Sequence, residues 1–184
     1  SNKVENGKYI VVVQKGAPKS CETVTSCSGK GKTLILFSQE LDKALATFVL
    51  ANGAAATGQK VTIFFTFWGL NVIKKVKKPQ VKKDFFGKMF SIMLPSSSLK
   101  LKLSKFNMFG AGSKMMRMIM KNKGIDSLES LRQQALDNGV EFIACQMSMD
   151  VMGVKREELM DEVTIGGVAT YMANADEANV NLFI

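Results

Sequence analysis

The 184-residue sequence predicts an α/β protein: a three-layer α/β/α sandwich around a mostly parallel sheet of about five strands, with a basic helical insertion. Two observations carry this expectation. Short apolar runs of strand length alternate with stretches whose apolar residues recur at helical spacing. Glycine or Asn-Gly falls where those helical stretches should stop.

The run Thr33–Phe37 is a buried-strand candidate, and Ser38 is placed to cap a helix in which Leu41, Ala44, Leu45, Phe48 and Val49 share a face. Gly58 ends that helix. Lys60–Phe67 is a second strand candidate, so a right-handed parallel crossover is expected. Asp126-Ser-Leu-Glu129 reads as a capping box before a helix carrying Leu128, Leu131, Ala135 and Leu136, stopped by Asn138-Gly139. Val140–Ala144 follows as a strand and delivers Cys145. A short helix near Lys155–Met160, a brief strand at Val163–Ile165, a helix over Gly167–Ala178 and a strand at Val180–Ile184 complete the alternation.

Two stretches stand outside it. Residues 1–32 read as an N-terminal attachment and linker, with a strand at Lys8–Lys15 and then a Ser/Gly-rich run holding Cys21 and Cys27. The domain proper is 33–184, with the helical insertion at about 70–123. Fourteen of the 25 Lys/Arg lie between Lys74 and Lys123 beside one acid, Asp84, so this segment carries +13 on a body of −4. Its Phe85, Phe86 and Phe90 cluster, and Arg117 is its one arginine. That composition suits a protein partner or a membrane edge better than base-reading contacts, so no nucleic acid is expected. A solvated helix face is the plain alternative.

The sequence contains no histidine, which excludes Ser-His and Cys-His nucleophile pairs and histidine zinc sites. Its three cysteines cannot supply a four-thiolate metal site from one chain, and they lack the density of a secreted disulfide scaffold. No metal is expected. Ser1-Asn2 reads as a cloning remnant, no signal peptide is expected, and a reducing cytoplasm fits, with any membrane contact peripheral.

Cys145 is the candidate reactive residue, because ligands of open α/β sheets gather beyond the C-terminal strand ends. Gln146-Met-Ser-Met-Asp150 is read as a turn whose amides stabilise a thiolate, so Gln146, Ser148 and Asp150 are supporting candidates, with Asp150 alternatively a cap. The opposing reading is a buried, inert cysteine. Gly166 and Gly167 resemble half of a phosphate-binding loop but lack the rest of the motif.

The string Ile143-Ala-Cys-Gln-Met-Ser-Met-Asp-Val-Met-Gly153, with Gly166-Gly-Val-Ala-Thr-Tyr171 and Asn181-Leu-Phe-Ile184, resembles the DsrE/DsrF-like sulfur-carrier family, closest to its peroxiredoxin-like, Met-rich branch. The resemblance covers roughly residues 32–184. It implies a DsrEFH/YchN-like fold, sulfur binding at Cys145, no cofactor, a homotrimer or homohexamer, and rhodanese-like and TusA-like donor or acceptor partners. It also implies a C-terminal module of a CoA-disulfide reductase relative, with Lys8–Lys15 as the last strand of a TusA-like domain. The expected function is persulfide relay at Cys145, by a carrier with or without turnover of its own. The alternative is a non-catalytic oligomeric module docking through its basic Met/Phe segment.

Overall fold

In the computed structural model residues 31–76, 95, 97–105 and 111–184 are described. The strand expected at Lys8–Lys15, Cys21, Cys27 and the Phe85–Phe90 cluster lie outside the described residues. The apolar runs become β1 (Gly31–Leu36), β2 (Val61–Phe65) and β3 (Glu141–Cys145), joined by β4 (Thr164–Gly166) and β5 (Ala178–Phe183). They form one sheet in the order β4-β3-β2-β1-β5, and every pairing is parallel. Parallel neighbours require crossovers. The helices are α1 (Leu41–Ala56), α2 (Ala111–Asn122), α3 (Leu128–Asp137), α4 (Gln146–Met152) and α5 (Val168–Glu177).

Strand alternation divides the interior into two cores of unequal size. On one face Leu34, Leu36, Ile63, Phe65, Phe142 and Ala144 join Leu41, Phe48, Leu128 and Ala135 of α1 and α3. There the rings of Phe48, Phe65 and Phe142 lie 5.3–6.4 Å apart. Burying each such ring is worth about 2–3 kcal/mol, so this face supplies most of the driving force. On the other face Phe64, Ile143 and Cys145 meet Tyr171, the one buried residue of α5, with Ile35 and Ala175 at the margin. The sandwich is therefore thick on one side and thin on the other.

Local signals move where tertiary bonds compete with them. Ser38 is not the cap of α1: Phe37 and Ser38 N–H groups still donate to the Ile184 carbonyl, and the helix starts after Glu40. The Ser38 hydroxyl instead accepts from Lys43 at 3.0 Å. At α3 the cap is Ser127, whose Oγ accepts from Ser130 N at 3.1 Å. Glu129 does not close a capping box: with Ser127 as the cap the third helical position is Ser130, and the Glu129 carboxylate pairs with Arg117 at 3.0 Å. The helix expected near Lys155–Met160 is a single 3-10 turn, Arg156–Glu158. Gly58 and Gly139 end α1 and α3 with φ of 75° and 77°, where a side chain would be strained.

After β2 the chain turns sharply into a 3-10 helix, Phe67–Ile73, laid across the end of β1. Phe67 holds a φ of 45°, unusual for a bulky residue and a local store of strain. The next bonds hold it there: Thr66 N donates to Leu36 O at 3.1 Å and Gly69 N to Phe37 O at 2.8 Å. Beyond the helix, Arg132 is buried with its guanidinium donating to Val72 O at 2.7 Å, anchoring this exit to α3. Two of the lysines in the basic segment are likewise used internally. Lys74 is 4% exposed and reaches Pro95 O at 3.4 Å, and Lys75 pairs with Asp161 at 2.8 Å.

A Cβ at Gly69 would stand 2.0 Å from the Leu36 carbonyl oxygen, whereas at Gly53, inside α1, it would meet nothing within 4 Å. In thermal or denaturant unfolding Gly69→Ala should therefore cost several kcal/mol (~3 or more), and Gly53→Ala should stabilise by about 0.5–1 kcal/mol. Burial alone would raise the Glu129 carboxyl, but its hydrogen bonds with Arg117, a backbone amide and Ser98 outweigh that and hold it below its ordinary carboxylate value. Its contribution is thus present above the unfolded value and lost as pH falls through the lowered folded value. Glu129→Gln should flatten the acid limb of a stability–pH curve and leave most of its shape near neutrality unchanged.

Candidate functional site around Cys145

Cys145 is the last residue of β3 and the residue from which α4 starts. Along β3, Phe142 and Ala144 enter the thick core, so Ile143 and Cys145 must enter the thin one. The thiol is free, and at 1% exposure it is closed off from solvent within a single chain. Its neighbours in that core are Phe64, Ile143 and Tyr171, with Ile35 and Ala175 partly buried against them. The expectation of a thiol standing open beyond the sheet is not met: position at the strand end holds, exposure does not. The reason is α5, which crosses over this end of the sheet on its way from β4 to β5.

Gln146–Asp150 is not a turn but most of α4, and this separates the three supporting candidates. Gln146 and Asp150, four apart on the helix, pair on its exposed side, with Gln146 Nε2 donating to both carboxylate oxygens at 3.0 and 3.1 Å. Ser148 points inward, fully buried, with its hydroxyl 2.8 Å from that of Thr66. The Cys145 side chain makes no capping hydrogen bond to the α4 amides. Of the candidates, only Ser148 thus lies buried beside the strand ends.

Gly166 sits opposite Cys145 in the β3–β4 register. A Cβ there would lie 2.8 Å from Ile143 Cγ2 and 3.4 Å from Thr170 Cβ, so its role is close packing of β4 and α5 onto the sulfur-side core. Gly167 precedes α5 with open space around it. Sequence reasoning missed Tyr171 as a cover, Phe64 as its partner at a ring separation of 5.2 Å, and Thr66 as the partner of Ser148. Tyr171 lies in the quoted glycine motif, but nothing local says which way its ring points.

Below this apolar end the same face is polar. Thr33 bonds Asn181 and lies 3.4 Å from the Tyr171 hydroxyl, and Thr62 donates to Glu141 at 3.1 Å. Among the described residues no group of three or more His, Cys, Asp or Glu could hold a metal ion. None of the helices there is long and apolar enough to cross a membrane.

The sequence model of the DsrE/DsrF/DrsH-like family matches residues 29–183. The chain is 46% identical over 155 residues to the uncharacterized protein YrkE of Bacillus subtilis, covering 84% of this chain and 97% of that one. It is 35% identical over 159 residues to the sulfur carrier protein DsrE2 of Allochromatium vinosum, covering 84% and 98%. Among solved structures the ychN protein of E. coli superposes with a TM-score of 0.48 at 10% identity, covering 84% of this chain and 99% of that one.

The cover over Cys145 makes thiol labelling a direct probe. A small alkylating reagent should modify the native thiol slowly and the unfolded thiol at once. Tyr171→Ala removes the buried ring and should speed native labelling by about tenfold or more. Tyr171→Phe keeps the ring against Phe64 and should stay within about twofold of the parent. Equal rates in all three would place the entry route elsewhere.

Proposed function

The chain belongs to the DsrE/DsrF/DrsH-like family, and from that premise we propose that it carries sulfane sulfur as a persulfide on Cys145. The observation that carries the reading is the position of this cysteine: it ends a buried parallel strand at the start of α4, in a chain 35% identical to a sulfur carrier protein. In the forward step the Cys145 thiol loses its proton to water and the thiolate attacks the outer sulfur of a donor persulfide. One S–S bond forms as the donor's S–S bond breaks, and the donor leaves as a thiolate. An acceptor thiolate then attacks the outer sulfur of Cys145–S–SH and releases Cys145 unchanged. No redox partner, metal or organic cofactor enters this exchange.

Burial suits a carrier if the cover can move. α5 has one fully buried side chain, Tyr171, with Ala175 partly buried beside it, while Val168 and Met172 remain more than half exposed. An element with so few buried contacts opens at low free-energy cost compared with the strands beneath it. A persulfide kept out of water between opening events is protected from adventitious thiols and oxidants.

The partners in this reading are rhodanese-like and TusA-like donor and acceptor domains, met in the cytoplasm, with the segment ahead of β1 as the edge of such a domain. Self-association is the third part of the proposal. Met147 and Val151 on α4, Ile165 on β4 and Val168 and Met172 on α5 are all 40–57% exposed, apolar side chains on the elements next to the covered thiol that favour contact between copies.

Incubation with a small-molecule persulfide donor, followed by intact and peptide mass spectrometry, tests the carrier. The expected product is one adduct of about +32 Da on Cys145, removed by a thiol reductant and absent in Cys145→Ser. Modification of Cys21 or Cys27 with Cys145 untouched would refute it.

A further inference from the structure

α2 has a fixed roll. At about 100° per residue, Gly112, Met116 and Met120 fall on one side of it; Gly112 and Met120 are buried and Met116 packs on the core. Arg117, on the edge of that side, is bound to Glu129 at 3.0 Å and to the Ser98 carbonyl at 3.2 Å. These contacts turn outward the arc that runs from Lys121 and Lys114, opposite the buried side, through Met118 and Met115 to Ile119 at its margin. Met115, Met118 and Ile119 are 54%, 58% and 44% exposed. Their spacing of three and four residues makes one continuous apolar strip.

The strip is edged by cations. Lys114 and Lys121 run along one side of it, Lys123 follows the helix, and Lys100, Lys102 and Lys105 are exposed on the neighbouring turn beside the half-exposed Leu99. No acid occurs between Asp84 and Asp126. A strongly two-sided, lysine-edged helix of low net hydropathy is suited to lying in a bilayer interface, and at 12 residues, or about 18 Å, this one is too short to cross.

We propose that the outer face of α2 docks flat on an anionic phospholipid surface, with Met115, Met118 and Ile119 at the acyl boundary and Lys114 and Lys121 at the level of the phosphates. Charge selects this occupant. A twofold contact with a second copy through the same face would set these lysines against themselves. A nucleic acid would find no aromatic side chain in the strip on which to stack a base, and the one arginine is already held by Glu129. Methionines suit a disordered lipid surface because their side chains adapt to it.

The full chain, mixed with sucrose-loaded vesicles and sedimented, tests this. Binding is expected to vesicles of phosphatidylcholine with about one-third phosphatidylglycerol, to be lost on phosphatidylcholine alone, and to weaken steeply with salt. Met115→Ser/Met118→Ser/Ile119→Ser and Lys114→Glu/Lys121→Glu should each lower the partition coefficient by about tenfold or more. Their melting temperatures should stay near that of the parent, since these side chains lie on the solvent side of the helix. Unchanged vesicle binding in both variants would overturn the proposal. So would absence of vesicle binding together with a concentration-dependent oligomer that the triple serine variant dissolves, which would make this face a contact between copies.

Discussion

The period of two along β3 is the constraint on which the site depends. Phe142 and Ala144 are committed to the aromatic core beneath α1 and α3, and that commitment sends Ile143 and Cys145 to the opposite face. A shift of one residue would bury the sulfur among Phe48 and Phe65 and send the strand's largest ring into the thin core. The stability of the thick core therefore holds the thiol under α5. Gly166 completes the arrangement, because only a residue without a side chain lets β4 and α5 close on Ile143.

The two faces of the sheet divide the work. One face supplies the aromatic packing and the buried Arg132 anchor, and it makes the fold. The other is thin and closed by a helix with one buried side chain, on which Val168 and Met172 stay exposed. A carrier needs this asymmetry: a rigid strand to position the sulfur and a weakly held cover to admit a partner. The lysine-edged helix α2 lies apart from that cover, bound to the turn at Ser98–Lys100 and to Glu129, so the docking and the sulfur transfer proposed above would use different surfaces.

Much of this fold was legible in the sequence because its strands are continuous apolar runs and its helices end at Gly58 and Asn138-Gly139. Caps were less so. Ser38 and the Asp126–Glu129 box satisfied local rules, yet the Ile184 carbonyl, distant in sequence, holds the Ser38 N–H, and α3 starts one residue later, at a Ser127 cap that leaves Glu129 to Arg117. At the site, the strand-end position of Cys145 could be read from the run before it. Its burial could not, since that depends on a ring 26 positions further on that folds back over Phe64. Gln146 and Asp150 looked like attendants of the thiol, but a helix in place of the expected turn paired them with each other.

The central claim is that sulfur passes through Cys145. The most direct measurement is a pulse–chase with a persulfide donor carrying isotopically heavy sulfur and a protein acceptor thiol, sampled in time by mass spectrometry. The account predicts heavy sulfur first on the peptide containing Cys145 and then on the acceptor, with acceptor labelling falling to the uncatalysed rate in Cys145→Ser. Acceptor labelling at an undiminished rate in that variant would contradict it.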